Sequence, residues 1–302
     1  MVERRAHAAP IGVIGVGNMG LAMTRRLLDR GHPVVVRDIR AEAEANAMAA
    51  GATTAPDGAA LAQRCDLLIV AVVDAVQCEA VLFGEGGACH GLHARSAVMA
   101  CSTIGPRDVE SIAARLDRLN TPCIDAPMSG GPARARDGTM SLMVACADAV
   151  FAHHEPILRD LSSRLLRLGE RIGDGARTKL VNNLLAGVNL AAAAEALAMA
   201  ERLGLDARRT LQVFEHSSAQ SWIGSDRLPR ALDGDFEPRA HTSLLAKDTT
   251  LAMAMAGDAG LQPLLGATAQ QLFARACAQG LASQDDASLL TVMRRWFAGD
   301  RE

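Results

Sequence analysis

The chain has 302 residues, about twice the ~150 usual for one domain, so two domains are expected and a disulfide-stapled miniature fold is excluded. Hydrophobic residues make up 49% and charged residues 22%, with 31 basic against 34 acidic side chains, a balance that excludes intrinsic disorder. A net charge of −3, no Tyr, two Trp and six Phe offer neither a basic footprint nor a stacking platform, so no nucleic-acid partner is expected.

The seven cysteines are odd in number, scattered, and never spaced C-x-x-C. Neither a disulfide framework nor a zinc knuckle is suggested, and a reducing cytoplasm fits best. Residues 1–10 lead into a glycine-broken strand pattern rather than an apolar run with a cleavage site, so no signal peptide is expected.

From residue 11 to about 172, short β-branched runs alternate with amphipathic ones. Strands are predicted at 11–14, 34–37, 66–73, 97–102, 122–125, 141–146 and 164–168, and helices include 18–30 and 107–119. Such alternation argues an α/β fold with a parallel, doubly wound sheet. After Gly173-Asp174-Gly175 the strand signals stop. A long helix is predicted over 177–203, ending at Gly204, followed by helices at 207–216, 244–259, 264–279 and 285–297, with breakers at Pro229, Gly234, Pro238, Gly260 and Pro263. The expected domains are 1–174, a dinucleotide-binding Rossmann domain, and 175–302, an all-helical substrate and oligomerisation domain, joined by the long helix. That helix is apolar, but Asn189, Glu195 and Glu201 interrupt it, so a buried helix is expected rather than a membrane span.

Directly after the first strand comes Gly15-Val16-Gly17-Asn18-Met19-Gly20. In a G-x-G-x-x-G opening a helix, the first glycine permits the tight turn, the second lets backbone approach a pyrophosphate, and the third lets helix and strand pack closely. The next strand ends at Asp38, eighteen residues past Gly20, where a carboxylate can accept hydrogen bonds from ribose hydroxyls. Its charge opposes a 2′-phosphate and favours NAD over NADP, although Arg37 and Arg40 beside it leave NADP possible.

On the long helix Lys179 and Asn183 are four apart and share a face, with Asn182 beside them. An ammonium at the reacting oxygen of a hydroxy acid can donate or accept its proton, and an amide can fix that substrate. Asp125-Ala126-Pro127-Met128-Ser129-Gly130-Gly131-Pro132 follows a strand with small residues, offering N–H groups and a hydroxyl suited to a carboxylate. Cys101-Ser102-Thr103-Ile104 ends another strand at the edge where open α/β sheets bind ligands. Lys247-Asp248 lies on a later helix.

Together and in this order these segments resemble the β-hydroxyacid dehydrogenase family, relatives of 6-phosphogluconate dehydrogenase. The glycine loop, Asp125 to Gly131 with Asp137-Gly138-Thr139, Gly175 through Lys179 to Asn182-Asn183, and Lys247-Asp248 all match its signatures, so the resemblance spans nearly the whole chain. It implies hydride transfer between NAD(P) and a small hydroxy acid of the 3-hydroxyisobutyrate, 2-hydroxy-3-oxopropionate/glycerate or threonate type, in a cleft between the two domains. By the same resemblance Lys179 is the acid/base, Asn183 positions substrate with Asn182 nearby, and Ser129, Gly130 and Gly131 cradle its carboxylate. Gly15, Gly17, Asn18, Met19, Gly20, Asp38, Val73, Thr103 and Lys247 are implied on the cofactor. Met128 and Thr249 depart from the family pattern, and Asp38-Ile39 replaces the Asn-Arg of NADPH-using relatives. The segment 227–236 looks most like the threonate branch and reads as a loop.

A metal at Cys89, His90 and His93 is set aside, since three potential ligands in a loop fall short of a site and the implied chemistry needs none. A non-catalytic dinucleotide-binding scaffold and an imine-reductase-like enzyme are the alternatives to a hydroxyacid dehydrogenase. A homodimer or homotetramer is expected from the alanine-rich, apolar helical half.

Overall fold

The structure is a computed structural model and describes residues 9–300. The stretch read above for a leader lies, through residue 8, outside the described residues. The first part of the chain carries strands β1 (Ile11–Ile14), β2 (Val34–Arg37), β3 (Thr53–Thr54), β4 (Leu67–Val70), β5 (Ala97–Ala100), β6 (Cys123–Asp125), β7 (Met128–Ser129), β8 (Ser141–Ala145) and β9 (Arg164–Gly169). Between them run α1 (Asn18–Asp29), α2 (Ala41–Ala49), α3 (Gly58–Ala62), α4 (Ala75–Phe83), α5 (Pro106–Asp117), α6 (Gly131–Asp137) and α7 (Asp148–Leu161). The remainder is α8 (Asp174–Arg202), α9 (Ala207–His216), α10 (Trp222–Leu232), α11 (Thr242–Asp258), α12 (Leu264–Ala276) and α13 (Leu289–Ala298). Two compact units are present, one ending at Lys179 and one beginning at Leu180, so the division falls within α8.

The first unit holds one sheet in which β3-β2-β1-β4-β5-β6 run parallel, the doubly wound order that binds dinucleotides where strand order reverses. Alternation along the strands sorts their side chains onto two covered faces. Val13, Val36, Ile69 and Met99 pack with Met23 and Leu27 of α1, while Val35, Leu68, Val70 and Val98 pack with Leu82 of α4 and Ile112 of α5. Burial on both faces explains why the central strands read as unbroken apolar runs.

Past β6 the sheet is mixed rather than parallel throughout: β8 is antiparallel to β6 and β7, and β9 runs parallel to β8. Strands β3 and β7 have two residues each, too short for any alternation to announce them. Strand β4 stops at Val70 instead of residue 73. The N–H of Val72 turns to Ser102 Oγ (3.1 Å) and that of Val73 to Gln77 Oε1 (3.1 Å), which ends the ladder.

The second unit is helical, with Leu190, Ala194 and Leu197 of α8 around Phe273 of α12 and Leu290 of α13. By length and composition α8 passes as a membrane span, with a mean hydropathy of 1.4 over its most apolar window. Leu190 and Leu197 instead line this core at 0% exposure, so α8 is a core helix and not a membrane span.

Segment 227–236, expected as a loop broken at Pro229, is mostly the second half of α10. Leu228 and Ala231 are buried there, Arg230 pairs with Asp285 at 2.8 Å, and Arg227 pairs with Asp286. These contacts outweigh the lost N–H of Pro229. The last predicted helix starts later than 285, because Asp286–Ser288 form a 3₁₀ turn ahead of α13.

Phe273 is 0% exposed at the centre of the helical core. Phe273→Ala is expected to lower unfolding stability by about 3–5 kcal/mol in urea titrations; a loss under about 1 kcal/mol would place the core elsewhere.

Candidate active site

The glycine loop is built as its spacing requires. Gly15 has φ +87°, and a Cβ there would come within 2.7 Å of the Ala71 carbonyl oxygen. A Cβ on Gly20 would lie 1.9 Å from the Gly15 carbonyl oxygen, so helix α1 can start against β1 only with glycine at that position. Gly17 is the N-cap of α1 and gives no side-chain cap, and the first turn, which holds Asn18 and Met19, carries no acidic residue. Backbone N–H groups with no carboxylate of their own therefore meet an incoming anion.

Asp38 is buried beneath this loop. One carboxylate oxygen accepts the N–H of Val16 (2.8 Å) and the other the N–H of Arg40 (2.9 Å), so the residue ties the end of β2 to the loop. The Arg37 guanidinium is committed to Glu44 (2.7 Å) and to the Asp38 carbonyl. Arg40, 63% exposed, reaches over the loop, its Nη2 being 3.5 Å from where a Cβ on Gly17 would stand. Ile39 is exposed beside it.

At the ends of β4 and β5, Val73 is 49% exposed and Thr103 is half-buried. The neighbouring Cys101 is fully enclosed, and burial pushes its thiol well above the ordinary range. Ser129 lies in β7, paired with Ser141. Gly130 (φ +128°) and Gly131 (φ +73°) then turn the chain into α6, in a backbone region that L side chains avoid. Open space lies where a Gly131 side chain would be.

Asp125, the last residue of β6, is 1% exposed. Its carboxylate accepts the N–H of Gly173 (2.9 Å) and of Ala176 (3.2 Å), with Gly175 N–H bonded to it as well. The start of α8 is thus docked on a strand end through one side chain. Burial pushes the Asp125 carboxyl up to about 6 against the pull of those N–H groups. Sequence reasoning had placed Asp125 only in a motif; a cap made across 48 residues leaves no local signature.

Lys179 is 7% exposed and Asn183 9%, while Asn182 is exposed. Of 31 basic residues in the chain, only Lys179 and Lys247 are lysines; the other 29 are arginine. In the second unit a hydrogen-bonded chain links α8 to α11. Asn182 Nδ2 donates to Asn183 Oδ1 (3.0 Å), Asn183 Nδ2 donates to Asp248 Oδ2 (2.6 Å), and Lys247 Nζ lies 2.9 Å from Asp248 Oδ1. Asp248 was read from the sequence only as the partner of its neighbour. The approach of the two helices rests on Gly187, where a Cβ would stand 3.1 Å from Thr249 Cγ2. Thr249, the departure from the family pattern, is fully buried and returns its hydroxyl to the Leu245 carbonyl (2.7 Å). Its hydroxyl is therefore satisfied within α11 itself.

Among the described residues no group of three His, Cys, Asp or Glu could hold a metal ion.

Residues 10–169 match the family model for the NAD binding domain of 6-phosphogluconate dehydrogenase, and residues 173–293 match that for NAD-binding of NADP-dependent 3-hydroxyisobutyrate dehydrogenase. The chain is similar to L-threonate dehydrogenase of Cupriavidus necator, with 36% identity covering 93% of this chain and 95% of that protein. Among solved structures it is similar to a 3-hydroxyisobutyrate dehydrogenase from Salmonella typhimurium, with a TM-score of 0.88, 34% identity, and coverage of 94% of this chain and 100% of that one. It is also similar to Psf3 in complex with NADP+ and 2-OPP, with a TM-score of 0.87, 25% identity, and coverage of 94% and 99%. With its glycine loop and both halves matched, the chain belongs to the β-hydroxyacid dehydrogenase family, the NAD(P)-dependent oxidoreductases of small hydroxy acids.

Proposed function

We propose that this enzyme oxidises a small polyhydroxy acid of the threonate type with NAD, and that Lys179 is its acid/base. The observation that carries the reading is Lys179 itself, held at 7% exposure and one of two lysines among 31 basic residues. An arginine cannot give up its proton near neutral pH, whereas a shielded lysine can. Apart from Lys247, which pairs with Asp248, every other Lys or Arg position in the chain is arginine, and the chain keeps an exchangeable amine where a proton must move.

The first turn of α1, uncapped by any side chain and without an acidic residue, fits a pyrophosphate, and Gly15, Gly17 and Gly20 give it room. Asn18 and Met19 contribute backbone there, Asp38 takes the ribose end, and Val73, Thr103 and Lys247 serve the nicotinamide end. When bound, NAD(P) supplies the acceptor for the hydride that leaves the carbinol carbon. Ser129 and the backbone of Gly130 and Gly131 hold the substrate carboxylate. As the amine, Lys179 takes the proton of the substrate hydroxyl; as the ammonium it returns that proton in the reverse direction. Asn183 has one amide N–H engaged by Asp248 and a second to hold a substrate oxygen, with Asn182 fixing its orientation. The threonate preference rests on similarity to an L-threonate dehydrogenase, and the choice of NAD rests on the Asp38 charge at the end of β2.

No disulfide joins any of the seven cysteines, which supports a cytoplasmic location. The exposed Leu261, Leu264 and Leu265 support a homodimer or homotetramer. Sedimentation equilibrium should give a multiple of 31.7 kDa, and a single-chain mass would contradict it.

Lys179→Ala is expected to lower kcat by roughly 10²–10⁴-fold while NAD affinity stays within about two-fold, and Lys179→Arg should fail equally. The measurement is absorbance at 340 nm with L-threonate, 3-hydroxyisobutyrate and glycerate. Retained kcat in either variant would remove the role, and no turnover of any acid by the wild type would favour a dinucleotide-binding scaffold. Asp38→Asn should narrow the ratio of kcat/KM between NAD and NADP by about tenfold; an unchanged ratio would hand that preference to Arg40.

A further inference from the structure

We propose that Asp125 is a positioning residue of the reaction, its buried carboxylate docking the first turn of α8 on the end of β6 and thereby setting where Lys179 stands and how tightly it holds its proton. The inference rests on Lys179 being the acid/base, and its test separates the two claims.

The geometry lies within one compact unit. Asp125 Oδ2 takes the N–H of both Gly173 and Ala176, at 2.9 and 3.2 Å. Helix and strand end meet backbone to side chain, since a Cβ on Gly175 would stand 2.7 Å from Asp125 Cγ and 2.9 Å from its carbonyl oxygen. Lys179 follows Ala176 by three residues, one turn along α8. Helical side chains lean toward the N-terminus and lie over the preceding turn. The lysine stem therefore covers the turn that Asp125 holds, and a tilt of that turn is carried directly to the amine.

Charge acts in the same place. A helix N-terminus carries roughly half a positive charge, which disfavours an ammonium within the first turns. The Asp125 carboxylate neutralises that end. Asp174 on α8 faces the same carboxylate, as do the thiols of Cys101, Cys123 and Cys146 from β5, β6 and the end of β8. Because burial raises the folded-state value from 3.8 to about 6, ionising Asp125 works against folding as pH rises through that interval. A buried charge kept against stability and one helical turn from the proposed acid/base is suited to function.

The two-lysine composition makes the test direct. Protein grown on ε-13C-lysine gives two side-chain signals, assigned with Lys247→Arg, and the Lys179 signal is followed against pH in the wild type and in Asp125→Asn. The amide keeps one oxygen for the α8 N–H groups and removes the charge. The expected result is a Lys179 midpoint lowered by about half to one pH unit, with kcat reduced about tenfold or more and the Kd for NAD within about two-fold. The rise of kcat/KM with pH, which follows the neutral amine in oxidation, should move down by the same interval. If Asp125→Asn does not fold, Gly175→Ala tests the same contact by pushing the turn off the carboxylate, with kcat lowered and NAD affinity kept.

A merely structural Asp125 would lower the Tm and leave the Lys179 midpoint and the kcat of the folded enzyme where they were, and that outcome overturns the proposal. An unmoved midpoint beside an inactive Lys179→Ala enzyme refutes Asp125 alone. An active Lys179→Ala enzyme refutes the acid/base reading, and the claim for Asp125 falls with it.

Discussion

Burying a lysine is the constraint on which the proposed chemistry of this molecule depends. A buried lysine is rare because its ammonium loses hydration, and Lys179 retains only 7% of its surface. The amine must be supported by the helix that carries it and by what holds that helix. On one side of Lys179, α8 is docked through Asp125. On the other, Asn183 is fixed by Asp248 on α11, which packs closely against α8 at Gly187. The helix has two anchors, one within each compact unit, and the lysine lies between them in sequence.

The dinucleotide end is organised by the same logic of small residues and a buried carboxylate. Three glycines remove the side chains that would separate α1 from β1 or cover the anion-facing turn. Asp38 then braces the loop from below through the Val16 N–H. This carboxylate holds the loop, and in the proposed reading it also sets the charge met by the ribose. Asp125 is its counterpart at the end of β6, a strand-end carboxylate turned onto the start of a helix.

What could be read from the residue order follows from range. Strands β1 and β2 and helix α9 were legible to the residue, because an apolar run or a period of 3.6 within a bounded segment is a local property. The glycine loop was legible because its three glycines fall within six residues between a strand and a helix, although the space Gly15 leaves is needed by Ala71, beyond the end of β4. Helix α10 was missed because Pro229 is a local breaker signal, overridden by ion pairs to Asp285 and Asp286 from the far end of the chain. The antiparallel turn of the sheet at β8 and the two-residue strands carry no pattern of their own. The candidate site residues divide in the same way. Lys179 and Asn183 are singled out by a shared helix face together with the family resemblance, whereas the contacts of Asp125 and Asp248 are visible only once residues 48 and 65 positions apart are brought together.

The most direct measurement compares two titrations of the wild-type enzyme at one temperature. One is the pH dependence of kcat/KM for hydroxy-acid oxidation, and the other is the 13C titration of the Lys179 side chain in the NAD-free enzyme, the form whose ionisation kcat/KM reports when NAD is the varied reactant. If Lys179 carries the proton, the midpoints should agree within about 0.3 pH unit, with the enzyme active as the amine. A rate profile that rises at a pH where the Lys179 signal does not change would show that another group moves the proton, and the account built on this lysine would be wrong.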